Sequence, residues 1–194
     1  MSRRKRFRSS FLFALLPLAI SLAASGITAT TLARMSVTQM SQIAPVIVRA
    51  RCLANSTRWD AGDIWTFSTF AVEEIWKGSV SARITVRLLG GTAGNLTSTI
   101  DGIPRFRPGE TVVLFLEPTS RGDLSVLSWQ QGTFRVRLSP RGAQEIVTQD
   151  TASFSTFDSA TRRFEVGGIH ELPVDALHQQ VRAAINAPPA RRQP

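Results

Sequence analysis

Residues 102–116, GIPRFRPGETVVLFL, deliver a strand into the middle of a sheet. Pro104, Pro108 and Gly109 hold the approach in extended and tight-turn conformations. Thr111 to Leu116 is an unbroken run of β-branched, Leu and Phe residues, the composition of a strand covered on both faces. Other strands are therefore expected to flank it.

Upstream, Ala82 to Leu89 alternates cleanly, with Ile84, Val86 and Leu88 opposite Arg83, Thr85, Arg87 and Leu89, which predicts a half-exposed strand. Before it, Asp63 to Trp76 is a long extended segment closed by the turn Lys77-Gly78-Ser79. Trp65 and Phe67 share one parity in it and Phe70 and Val72 the other, a switch expected from a bulge or a strong coil. From Val46 to Leu53 the period is again two, with Val46, Val48, Ala50 and Cys52 on one face. Asn55 to Gly62 is expected to be a polar connection carrying Trp59. Residues 30–43 are a linker or a short helix ended by Pro45, with Met35, Met40 and Ile43 near helical spacing.

Gly90, Gly91 and Gly94 open a mobile loop that runs through Asn95 to Asp101, with room for a short β segment at Leu96 to Ile100. Downstream, strands are expected at Leu124 to Trp129, Thr133 to Leu138 and Glu145 to Thr148. They are separated by the turns Ser120-Arg121-Gly122-Asp123 and Pro140-Arg141-Gly142. Phe154, Phe157 and Phe164 are expected to tuck down against the barrel. Pro173 to Ala187 predicts a helix with Val174, Leu177, Val181 and Ile185 on one face and Asp175 in the first turn. The tail 188–194 is expected to be disordered after Pro188-Pro189. Together these segments predict a mainly β fold over residues 44–187, a small five- to six-stranded OB-like barrel with a C-terminal α-helix; a β-sandwich is the alternative.

The chain of 194 residues carries a formal charge of +9, but five of its 23 basic residues (Arg3, Arg4, Lys5, Arg6 and Arg8) precede the apolar run Phe11 to Ala24. Basic residues followed by such a run and by small side chains form a signal-peptide pattern over residues 1–29, with cleavage expected between 24 and 33. Eighteen basic residues then face 14 acidic ones, a net charge of about +4, which disfavours a general polyanion binder. Pro17 interrupts the run, which is shorter than the roughly 20 residues of a membrane span. Export to the periplasm or the exterior is therefore expected, with contact to the membrane only through the leader; an uncleaved, membrane-tethering signal anchor is the minor alternative. The single cysteine, Cys52, excludes an internal disulfide, and its parity places it with the core valines.

Ala44-Pro45-Val46-Ile47-Val48-Arg49-Ala50-Arg51 resembles the first barrel strand of the netrin-like module, the OB-fold shared with tissue inhibitors of metalloproteinases. Phe70 to Gly78, FAVEEIWKG, resembles its second. Gly102-x-Pro104-x-Phe106-x-x-Gly109-Glu110 and Gln131-Gly132-x-Phe134 resemble a group of exported bacterial proteins of unknown role. This resemblance, over residues 44–138, implies a barrel and a protein-binding role. The animal inhibitors chelate a protease zinc with an N-terminal Cys-x-Cys and are stapled by disulfides; this chain has neither feature.

No catalytic pattern stands out. His170-Glu171 lacks the second histidine and the helix that a zinc-protease motif needs, since positions 173 and 174 are Pro and Val. There is no Gly-x-Ser-x-Gly elbow, and the glycines at 90–94 are followed by no lysine or helix start that would make a phosphate loop. No enzyme activity, cofactor or metal is expected. The expected role is a binding module for a secreted or envelope protein, such as a protease, through the loop at Gly90, Gly91, Gly94 and Asn95. The alternative is an anionic glycan or lipid bound by a band of alternate arginines on the barrel exterior: Arg49, Arg51, Arg83, Arg87, Arg135 and Arg137. Nucleic acid is disfavoured by export.

Overall fold

In the computed structural model, residues 32–140, 142–149, 151, 155–158 and 161–187 are described. The expected leader, the tail 188–194 and Phe154 lie outside them. The elements are, in order, β1 (Leu32–Ala33), α1 (Val37–Ile43), β2 (Val46–Asp60), β3 (Asp63–Lys77), β4 (Arg83–Leu89), β5 (Gly91–Ala93) and β6 (Leu96–Ser98). They continue with β7 (Thr111–Pro118), β8 (Leu124–Val126), a 3₁₀ turn (Trp129–Gly132), β9 (Thr133–Leu138), β10 (Glu145–Gln149), β11 (Ser155–Asp158), β12 (Arg163–Val166), β13 (Leu172–Pro173) and α2 (Val174–Asn186).

Five strands close into a ring. β7 pairs with β2, β2 with β3 and β3 with β4, all antiparallel. β8 closes the circuit, parallel to β4 at Val86–Leu124 and antiparallel to β7 at Leu116–Val126. The barrel is OB-like, as expected. The free edge of β7 is shared: its second half pairs with β8, whereas Val112, Val113 and Leu114 pair with β9. From there β9, β10 and β13 extend the sheet beyond the barrel.

That shared edge explains why the 111–116 run is apolar throughout. Val112, Leu114 and Leu116 point into the barrel with Val48, Cys52, Phe70, Val86 and Phe106. Val113 and Phe115 point the other way, into a second core with Ile47, Trp76, Phe134 and Val147, roofed by Met40 of α1 and by Leu177 and Val181 of α2. Only alternate residues of β7 thus form the barrel's interior spine, and the other half anchor the helices. At about 1.5–3 kcal/mol for each large apolar side chain buried, either cluster alone is a substantial core.

The helices follow their sequence cues. Ser36 and Gln39 form a reciprocal capping box at the start of α1. On α2, Val174, Leu177 and Val181 are buried as expected, but Ala184 takes the fourth buried place and Ile185 stays exposed.

Several expectations need correction. Asn55 to Asp60 is not a loop: β2 and β3 are 15-residue strands joined at Ala61-Gly62, which have φ of 52° and 92°. Two consecutive positive φ values make a tight type I′ hairpin, so the polar residues are a ribbon rising out of the barrel. The parity change in β3 is not a bulge, since Trp65 to Ala71 pairs with β4 in unbroken register. The extra residues fall elsewhere, at Leu53 in β2 and at Glu73 and Trp76 in β3. Phe70 is buried in the barrel interior, and Phe67, on the exterior, is buried under the side chains of Arg58 and Arg87. β4 is accordingly less exposed than its alternation implies. Phe157 and Phe164 do not tuck against the barrel; they pack on each other, ring centroids 5.3 Å apart, in a separate sheet of β1, β11 and β12, and Phe164 is exposed. No helix among the described residues is long and apolar enough to cross a membrane.

Candidate functional site

The six alternate arginines do not form one band. Arg49 lies opposite Val113 and shares its face, whereas Arg135 lies opposite Val112, on the other face of the sheet. Arg49 makes a bidentate pair with Glu145 at 2.7 and 2.9 Å and also holds Glu73 at 3.0 Å. The hydrogen bonds to Glu145 raise the guanidinium above its ordinary range, and in return Arg49 holds the Glu145 carboxyl below the usual carboxylate range. Arg51 shares Glu73 at 3.1 Å. Arg135 is ion-paired to Glu110 and donates to the Arg105 carbonyl. Arg137 pairs with Glu171 at 3.0 Å.

Arg87 departs furthest from a solvent-facing role, being only 4% exposed. Its guanidinium stands over the Trp65 ring and bridges Asp60 at 2.6 Å and Asp123 at 3.4 Å. It thereby ties the β2–β3 hairpin to the turn before β8. Arg83 is exposed and makes no ion pair among the described residues. Arg51 and Arg83 both stand opposite Ala71 of β3, so these two share the barrel exterior.

The residues that carry the family resemblance build the fold. Lys77 Nζ donates to the carbonyls of Ser41 and Gln42, closing the last turn of α1. A Cβ at Gly78 would lie 2.3 Å from the Pro45 carbonyl oxygen, and one at Gly132 would lie 2.2 Å from that of Leu127. Gln131 is buried and binds Ala33, Met35 and Ser128. Phe106 packs edge-on against Phe70 at 5.0 Å inside the barrel, and Glu110 accepts from the Arg107 backbone. Cys52 is buried among them, and burial pushes its thiol up, away from the reactive thiolate.

The loop at Gly90, Gly91, Gly94 and Asn95 is an ordered hairpin, β5 and β6, turning at Gly94 with φ of 63°. It forms one wall of a cleft of about 400 Å³ at the barrel end, facing the base of the β2–β3 ribbon and the 104–106 segment. Gly91 explains the close fit: a Cβ there would lie 2.4 Å from Thr66 Oγ1 and 2.5 Å from the Thr57 methyl. Thr57 and Thr66 hydrogen-bond each other at 3.1 Å, and Thr66 donates to the Gly90 carbonyl at 2.7 Å. Beneath them Ser68 donates to Asn55 Oδ1 at 2.7 Å, and Asn55 Nδ2 donates to the Phe106 carbonyl at 2.8 Å. Thr92 and Thr97 pair across the hairpin at 3.0 Å, and Arg105 reaches the Ser98 carbonyl at 3.2 Å. The glycines stood out in the sequence. Thr66 and Arg105 did not, although Thr66/Ser68, like Asn55/Thr57, recur at the strand period.

No cluster of three or more His, Cys, Asp or Glu able to hold a metal occurs among the described residues. His178 stacks on Trp76 at 4.5 Å, and His170 is exposed. No model of a known protein family matches the chain, and no curated protein matches it.

Proposed function

We propose that the protein is an exported, non-enzymatic binding module that contacts a secreted or envelope protein through the barrel end bearing the β5–β6 hairpin. The observation that carries this reading is the cleft where that hairpin, the β2–β3 ribbon and the 104–106 segment converge, at the rim of the barrel core, whose Leu88 and Phe106 reach its floor. Small barrels present binding loops at such ends. A protease as the partner rests on the resemblance to the netrin-like module alone, and without an N-terminal Cys-x-Cys the contact would not proceed by zinc chelation. Export rests on the leader pattern.

A second reading, an anionic envelope glycan or lipid, draws on Arg51 and Arg83, which share the barrel exterior and, unlike Arg49 and Arg87 on the same face, are exposed. Charged exposed contacts weaken with salt, and that separates the readings. Immobilised protein would be offered secreted and envelope fractions at low and high salt, as wild type, as Leu96→Asp at the exposed hairpin tip, and as the Arg51→Ser/Arg83→Ser pair. Salt-tolerant retention of a protein, lost in Leu96→Asp and kept in the arginine variant, is expected. Salt-sensitive retention lost in the arginine variant would move the contact to the barrel exterior, and undiminished retention by Leu96→Asp would overturn the hairpin assignment.

A further inference from the structure

The hydrogens of the cleft specify what can enter it. Thr66 Oγ1 donates to the Gly90 carbonyl, which cannot donate back, so Thr57 must be the donor in the Thr57–Thr66 bond. Thr57 therefore offers only lone pairs outward. The orientation of the Asn55 amide is fixed, because its Nδ2 donates to the Phe106 carbonyl while its Oδ1 accepts from Ser68. What Asn55 retains is one amide N–H. The Thr92–Thr97 pair uses one of its two hydroxyl hydrogens and keeps the other, and Arg105 uses one N–H on Ser98. Thr99 adds a further exposed hydroxyl. The cleft thus presents acceptors and donors side by side, with Leu88, Pro104 and Phe106 between them and no carboxylate in its lining.

This combination discriminates between ligand classes. A metal ion or an ammonium group would find no carboxylate to neutralise it. An anion would find one guanidinium among neutral donors and, at Thr57, an oxygen with no hydrogen left to give, facing it with a lone pair. A hydroxyl group both donates and accepts, so a ring bearing several of them matches the alternation. Leu88, Pro104 and Phe106 form a buried floor, so the polar groups of the walls carry the recognition, and about 400 Å³ lies within the range of small-ligand clefts. We infer that the barrel-end cleft binds a neutral saccharide unit, with Thr57 accepting from a sugar hydroxyl and Arg105 and Asn55 donating to others. The inference rests on the reading of this barrel end as the contact surface and adds the chemistry of what is contacted.

The test is saturation-transfer NMR on the purified chain with mannotriose, maltotriose, cellotriose and chitotriose, with trigalacturonate as the anionic control. At least one neutral trisaccharide should bind, with affinity that high salt leaves within twofold. Thr57→Val should weaken that binding at least fivefold, Thr57→Ser should restore it, and Arg105→Ser should weaken it as well. Melting temperature monitors the fold of each variant. Binding of trigalacturonate alone, of no neutral trisaccharide, or with equal strength to Thr57→Val would overturn the inference. A mannose-bearing glycopeptide run beside free mannotriose distinguishes a glycan carried by a protein from a free one, since either source satisfies the same contacts. The protein-capture result with Leu96→Asp is read separately: capture without any trisaccharide binding sinks the saccharide inference alone, and loss of both sinks the contact surface.

Discussion

The guanidinium of Arg87 stands 3.9 Å from the centroid of the Trp65 ring, and the two residues are diagonal neighbours on the barrel exterior, Arg87 lying directly opposite Phe67. The charge is held there by Asp60, at the tip of the β2–β3 ribbon, and by Asp123, in the turn before β8. Arg87 is therefore a tie between three segments that are distant in sequence. Arg87→Ala would uncover Trp65 and Phe67 and leave Asp123 without this partner, though Arg121 still holds Asp60 at 3.1 Å. The expected cost is about 2–4 kcal/mol, read as a lower midpoint in urea unfolding. Arg87→Lys should recover little, because an ammonium cannot stack flat and bridge two carboxylates at once. A loss of less than about 0.5 kcal/mol, the ordinary surface range, would show that the tie contributes nothing.

Arg87 also shows what the sequence could and could not convey. An arginine at an alternate position on an amphipathic strand has the local pattern of a wet sheet face. Its burial depends on Asp60 and Trp65, brought over it by a hairpin whose polar residues resemble a loop. Asn55 to Asp60 looks like a loop because that ribbon leaves the barrel, so neither of its faces needs to be apolar. The barrel itself was legible, since Val112 to Leu116 and the alternations at 46–53 and 83–89 each report a buried face directly. At the cleft, Gly90 and Gly91 were legible as breaks in pattern. The Thr57–Thr66 bond was not, because it joins two strands across the ribbon.

Gly78 has φ of 78° and passes so close to Pro45 that a Cβ would meet its carbonyl oxygen at 2.3 Å. Backbone cannot yield as a side-chain tip can. Gly78→Ala combines a left-handed alanine with this clash and should cost about 2–4 kcal/mol, read by the shift in melting temperature. Gly122→Ala is the control, since its φ is 84° but nothing lies within 4 Å of the added carbon; it should cost about 1 kcal/mol. Equal losses at the two sites would show that the Pro45 contact is immaterial.

Two glutamates should bend the pH dependence of stability in opposite directions. Arg49 holds Glu145 below the usual carboxylate range, so the stabilisation is present above the unfolded value, about 4.3, and is lost as pH falls through the lower folded value. Burial pushes Glu117 up, so the folded state favours its protonated form; the benefit exists at acid pH and disappears as pH rises through the raised folded value. Glu117→Gln should therefore stabilise the protein at pH 7 and converge with wild type at acid pH, whereas Arg49→Met should destabilise at pH 7 and lose that deficit on acidification. Melting curves across the pH range decide it. Parallel curves for Glu117→Gln and wild type would remove the assignment.

The β5–β6 hairpin belongs to the cleft more than to either core: Leu96, Thr92, Gly94 and Asn95 are exposed, and the one buried residue of its strands is Gly91. Its anchor to the barrel lies at the base, where Thr66 bonds the Gly90 carbonyl and the Gly90 amide donates to the Ile64 carbonyl at 2.7 Å. Replacing Thr92 to Thr97 with a two-residue Asn-Gly turn keeps that base and removes the wall. Because few apolar contacts are lost, unfolding free energy should fall by no more than about 1.5 kcal/mol, while trisaccharide and partner retention should disappear. A chain that no longer folds would make the hairpin part of the scaffold, and a trimmed protein that binds as before would place the contact surface elsewhere on the barrel.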